Sequence, residues 1–297
     1  MLSTSTMHLN CPHCEKQPDY VSDVRTIFPH GSYYRTSDSR HVKRFKCLTC
    51  KKTFSQATHD SCYRQKKRQK NRAIYELLAS GVTGRRIARL LRIHRTTVAR
   101  RLIFLGSWAR EKLYFDTAFS RVQEMEFDDL ETFEHSKCKP LSVTLAVESK
   151  TRRILGFEVA QMAAKGRLAE KSRKLYGKRR DERGRMRRKL FANLERVLSP
   201  GALIKSDSNP YYLDDVKRYF PDCHYIQVLG QRGAITGQGE LKKIPFDPIF
   251  SLNHTCAMFR ANVARLIRKT WATTKLKSRL EDHLAIYAVY HNQHLKA

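Results

Sequence analysis

A chain of 297 residues with 41% hydrophobic content is long and apolar enough for two or three folded domains, which excludes a disordered or fibrous protein. Its formal charge of +30 makes nucleic acid the expected partner, because a polyanion gains affinity for such a surface by releasing counterions, with no sequence match required. No apolar run reaches the length of a transmembrane helix, and Met1-Leu2-Ser3-Thr4 lacks the layout of a signal peptide, so a cytosolic protein with no membrane contact is expected.

The charge is unevenly placed. Residues 1–115 carry 24 basic and 7 acidic side chains and residues 165–190 carry 13 and 3, whereas the rest is nearly balanced with 21 and 18. Two basic zones around a near-neutral body are read as DNA-holding surfaces flanking a site that keeps its acids for another purpose.

The first motif is a pair of CxxC turns, Cys11-Pro-His-Cys14 and Cys47-Leu-Thr-Cys50. In a reducing compartment such pairs are better explained as metal ligands than as disulfides, and four thiolates on two tight turns complete a zinc tetrahedron. The 32 residues between the pairs suit a ribbon, with Tyr33-Tyr34-Arg35 and Arg44-Phe45-Lys46 as strand pieces. His13 and His41 are assigned to the surface, and Cys62, Cys138, Cys223 and Cys256 to apolar packing.

From Asn71 the apolar positions Ile74, Leu77, Leu78, Ile87, Leu90 and Leu91 follow helical spacing, broken by Gly81 and Gly84. The spacing predicts a helix-turn-helix. Thr83 caps its second helix, Arg92-Ile93-His94 forms the turn, and Val98 and Leu102 of the third helix point inward. Arg95, Thr97, Arg100 and Arg101 are then the outward residues expected to reach a major groove.

Beyond Tyr114 the periodicity becomes two. Glu124 to Asp128 reads as a strand with one buried face, followed by strands at Leu141 to Glu148 and Ile154 to Ala160 that are joined by Ser149-Lys150-Thr151. A helical segment around Leu190 to Leu198 leads to the apolar run Ala202-Leu203-Ile204, which ends in Ser206-Asp207. Asp128 and Asp207 at strand ends suit a two-metal phosphoryl-transfer site with magnesium or manganese ions roughly 4 Å apart.

This order of motifs, with Glu126-Phe127-Asp128-Asp129 on a strand, Ser206-Asp207 before Tyr211-Tyr212, and Phe259-Arg260 followed by the basic run Ala264 to Thr270, resembles bacterial insertion-sequence transposases of the insertion sequence one family. The resemblance covers nearly the whole chain. It implies an α/β fold with an RNase H-like mixed sheet, a catalytic acid triad, magnesium dependence, and cutting and joining of transposon ends. It also implies a nucleoid-associated protein that binds double-stranded DNA at the terminal inverted repeats and at a target, as a homodimer or higher oligomer. Asp128 and Asp207 match the first two acids. The third position is occupied by Asn253, with Glu240 and Asp247 as possible substitutes out of register. His254 is either a general acid or a capping group.

The expected domains are a zinc ribbon at 1–60, a helix-turn-helix at 61–112 and a catalytic domain at 113–297. The basic insert 165–190 is read as an arm that grips phosphates. Arg265, Arg268 and Lys269 are expected on DNA, while Trp271 is assigned to packing in preference to stacking on a base. The rival function is a DNA-binding regulator derived from a transposase and disabled by Asn253. An RNA-binding zinc protein fits less well, because a helix-turn-helix reads a duplex.

Overall fold

The computed structural model describes residues 10–16, 26–36, 38–229, 247–267 and 272–295. They fall into two compact units, Met1–Arg72 and Ala73–Ala297.

The first unit is a three-stranded antiparallel sheet of β1 (Ile27–Arg35), β2 (Arg40–Cys47) and β3 (Thr53–Ser55). Both strand pieces named from the sequence lie in it. Its core is small: Cys11, Cys14, Cys47 and Phe54, with Ile27 and Phe45 against them.

The second unit opens with α1 (Asn71–Ala79, whose first two residues close the first unit), α2 (Gly84–Leu90) and α3 (Arg95–Ala118). Gly81 turns the chain between α1 and α2 at φ +73°, a conformation that favours glycine. The α3 N-cap is His94, whose side chain accepts from the Thr96 N–H. The third helix is longer than the motif requires, because Leu105, Ala109 and Leu113 continue its buried stripe.

A five-stranded mixed sheet follows. Strands β4 (Val122–Phe133), β5 (Pro140–Glu148) and β6 (Ile154–Gln161) form an antiparallel meander. Strands β7 (Leu198–Asp207) and β8 (His224–Val228) continue the sheet in parallel with β4, giving the order β6-β5-β4-β7-β8. Helices α4 (Leu168–Tyr176) and α5 (Arg183–Leu194) precede β7, and α6 (Tyr212–Tyr219) connects β7 to β8. Helices α7 (Phe250–Asn262) and α8 (Lys277–His294) end the described chain.

Alternating side chains divide the core. Met125, Phe127 and Leu155 pack with Leu190, Phe191, Tyr212 and Val216 of α5 and α6. Leu130, Val143, Leu145 and Val147 belong to a second cluster with residues of α1–α3, α7 and α8. Helices α2 and α3 and the sheet are therefore parts of one compact unit, which begins at Ala73.

Three expectations need correction. The first strand does not have one solvated face: Glu126 is only 3% exposed, because α7 covers that side. Arg101 is 7% exposed and lies on the inner stripe with Val98, Leu102 and Leu105, so it is not an outward residue of α3. The insert 165–190 is largely helical, and its Arg187 is buried against Asp215 instead of reaching outward.

Candidate metal centres and nucleic-acid face

In the first unit, the two CxxC turns converge. The four sulfurs of Cys11, Cys14, Cys47 and Cys50 lie within 4.8 Å of one another, with Cys11 Sγ 3.6 Å from Cys50 Sγ and Cys14 Sγ 3.8 Å from Cys47 Sγ. A tetrahedron with metal–sulfur bonds of about 2.3 Å has edges of about 3.8 Å, so the cluster has the size for zinc. The first turn is closed by the Cys14 and Glu15 N–H groups donating to Cys11 O, at 3.1 and 3.0 Å. Lys51, at φ +60°, follows the second turn.

The thiols are unequal. Burial and the three neighbouring sulfurs push Cys14 up to about 12. Burial also pushes Cys47 upward, but the N–H groups of Cys50 and Thr49, together with the thiols of Cys11 and Cys50, outweigh it and bring the thiol down to about 6. Such an N–H-lined turn favours the thiolate a metal needs. His13 and His41 are exposed and stand outside the group.

In the second unit, the carboxylates gather where β4 and β7 run side by side. Glu126 pairs with Lys205, so Asp128 and Asp207 each lie two residues further along neighbouring parallel strands. Burial, followed by the charges of Asp207 and Asp129, raises Asp128 to about 7. Burial also raises Asp207, partly offset by the Asn209 N–H at 3.2 Å, with the Asp129 charge adding to the rise. Neither Asp128 nor Asp207 has a lysine or arginine partner among the described residues. Adjacent, desolvated carboxylates without a cation form a donor set of hard oxygens suited to a divalent metal.

Tyr212 was visible in the sequence only as half of a tyrosine pair, yet it donates to Asp128 Oδ1 at 3.1 Å. Its ring lies against Phe127 and beneath the Arg187 guanidinium, 4.8 Å from the ring centre. Arg187 also bridges Asp215 and the Tyr211 carbonyl. This buried arginine thus holds the tyrosine that holds Asp128. Asp129, the second half of the acidic doublet, accepts from Thr144 Oγ1. Glu124 is paired with Lys205 and Lys150.

Glu126 has a different task. Its carboxylate accepts from Ser149 Oγ at 2.9 Å and from the Leu252 N–H at 2.8 Å, which fixes the first turn of α7 to β4. A carboxylate at a helix N-terminus also meets the positive end of its dipole. One turn beyond Asn253, Cys256 is raised to about 12 by burial and then by the Asp128 charge.

Asn253 itself is exposed, and its Nδ2 donates to Asp247 Oδ2 at 2.8 Å. Among the described residues, no third acid, cysteine or histidine joins both Asp128 and Asp207 at ligand spacing. His254 lies beside Arg152, with both ring nitrogens 3.4 Å from its Nη1. Glu240, Arg268, Lys269 and Trp271 are outside the described residues.

On α3, Arg95 and Arg100 are exposed and Thr97 is half-buried. Among the described residues, no helix is long and apolar enough to cross a membrane. In comparisons with known proteins, the chain matches no protein-family model and no curated protein.

Proposed function

We propose that the protein is a DNA transposase with an RNase H-like catalytic core, which binds the terminal repeats of its element and cuts and joins DNA strands with a divalent metal. The observation that carries this function is the pair Asp128 and Asp207, half-buried side by side on parallel strands with no lysine or arginine partner among the described residues. It is supported by the antiparallel meander continued by parallel strands and covered by helices on both faces. The charge of +30 and the exposed arginines of α3 supply the attraction to DNA.

Magnesium or manganese would be held by Asp128 and Asp207, where it would stabilise the attacking and leaving oxygens of an in-line displacement at phosphorus. The protein's own residues prepare that site. Tyr212 holds the Asp128 carboxylate through its hydroxyl, and Arg187 holds Tyr212. Glu126 sets the position of α7, the helix that carries Asn253. Zinc at the four cysteines would staple the first unit.

One observation favours the rival function, a regulator that binds DNA without cutting it: the third position carries no charge, and its amide is engaged by Asp247. Strand cleavage and joining of DNA bounded by the repeats that flank the gene decides between the two. An active wild type with Asp128→Ala and Asp207→Ala at least 1,000-fold slower, the loss of about 4 kcal/mol expected for a catalytic charge, sustains the transposase. An inert wild type that still binds the repeats, and gains cleavage through Asn253→Glu, sustains the regulator.

A further inference from the structure

Away from the carboxylates, a cavity of about 540 Å³ opens between the start of α2, the first turns of α3 and the segment entering α8. Its lining includes five cations, Arg85, Arg95, Arg265, Lys275 and Arg279, and no carboxylate. Arg85, Arg95 and Arg265 have no acidic hydrogen-bond partner among the described residues. Arg279 does pair with Asp282, at 2.7 Å, but that carboxylate is also bound by Arg110 at 2.6 Å and is almost fully buried. Its single charge is shared between two guanidinium groups. Among the described residues, Lys275 Nζ donates only to the neutral Thr273 hydroxyl at 3.2 Å.

Two further features distinguish this cavity from a packing void, which would be apolar and dry. Arg265 is held below the usual arginine range by burial and by the Arg279 charge, a repulsion that an anion would relieve. His283, on the same wall, donates through Nε2 to the Leu78 carbonyl at 2.9 Å, which leaves its buried Nδ1 an acceptor with no partner among the described residues, open to a ligand hydroxyl or water. Several guanidinium forks converging on one space suit a multiply charged oxyanion better than a single carboxylate.

We propose that this cavity is a phosphate site, filled by the phosphodiesters of a nucleic-acid backbone or by the phosphates of a free nucleotide. It rests on the proposed DNA contact only for the choice between these sources, and it would join the helix-turn-helix to the C-terminal helices through a shared ligand.

Two variants of the full chain test the site. Arg265→Gln removes the buried cation, and Ala99→Glu brings a negative charge to the cavity from an exposed position on α3. Binding of a short duplex is followed by anisotropy across a salt series, and binding of pyrophosphate and ATP by calorimetry. For a backbone site, both variants weaken the duplex about tenfold and flatten the salt dependence by about 0.9 per lost contact. For a nucleotide site, pyrophosphate and ATP bind the wild type and are lost in both variants while duplex binding is unchanged. Wild-type affinities for all three probes in both variants would overturn the proposal. Should Arg265→Gln lower the melting temperature, Ala99→Glu alone decides. Failure of magnesium-dependent cleavage would count against the transposase and leave these binding results unaffected.

Discussion

Asp128 is costly to bury in its charged form. Its carboxyl has an ordinary value of 3.8 and lies at about 7 in the folded protein, so folding takes up a proton between those values. Its contribution to stability is complete below about pH 4 and disappears as the pH rises through 7. His283 has the opposite dependence. Burial lowers it to about 4 from 6.5, so its contribution is present above pH 6.5 and is lost as the pH falls toward 4. Comparing wild type with Asp128→Asn separates the two effects. In metal-free melts the variant should be more stable than wild type at pH 8 and not at pH 4, with about 2–4 °C for each kcal/mol relieved. Millimolar magnesium should stabilise wild type at pH 8 and leave the variant unmoved. Equal melting of both proteins at pH 8, with or without magnesium, would remove the case for a metal at this aspartate.

Among the elements, α3 and α8 cross closely at Gly106. A Cβ at Gly106 would come within 2.5 Å of Asp282 Cβ and 2.7 Å of its Cα, backbone-close contacts that no rotamer relieves. Gly106→Ala should therefore destabilise the second unit by about 1–3 kcal/mol, read as a lower denaturation midpoint with an unchanged slope. A midpoint equal to that of wild type would show that the two helices can separate freely. The sequence marks this glycine only as a poor helix residue, because its partner lies 176 positions away in the chain. The same distinction explains which elements were legible. Strands β5 and β6 were foreseen to within one residue, since alternation and the Ser149-Lys150-Thr151 turn are local signals. Helix α5 begins well before the segment expected around Leu190 to Leu198, where Arg187 is held by Asp215, a long-range match hidden among charges, and it ends at Leu194 because Leu198 already belongs to β7. Arg101 and Arg187 count as surface charge in a composition, yet both are buried by tertiary contacts. Asp128 and Asp207 could be singled out by strand position, whereas Tyr212 becomes a site residue only through the packing of α6.

At the scale of the whole molecule, the two units differ in what holds them. The second has two extensive apolar clusters, while the described residues of the first add only Val42 and Ala57 to Phe54 and its neighbours around four sulfurs. A core of that size does not sustain a fold without a metal or a crosslink. Chelation at neutral pH, or Cys47→Ser, should open residues 26–60 to proteolysis while a fragment beginning near Ala73 persists. Equal protection with and without chelator would mean that the cysteines pack as thiols.

Helix α3 spans 24 residues, about 36 Å at 1.5 Å per residue, and runs unbroken from the turn at His94 to the edge of the sheet. Under the proposed function it acts as a ruler. The bases read at its first turns and the phosphate placed at the aspartates would be separated by a fixed interval, so the position of the cut would be set by protein length instead of by the sequence at the break.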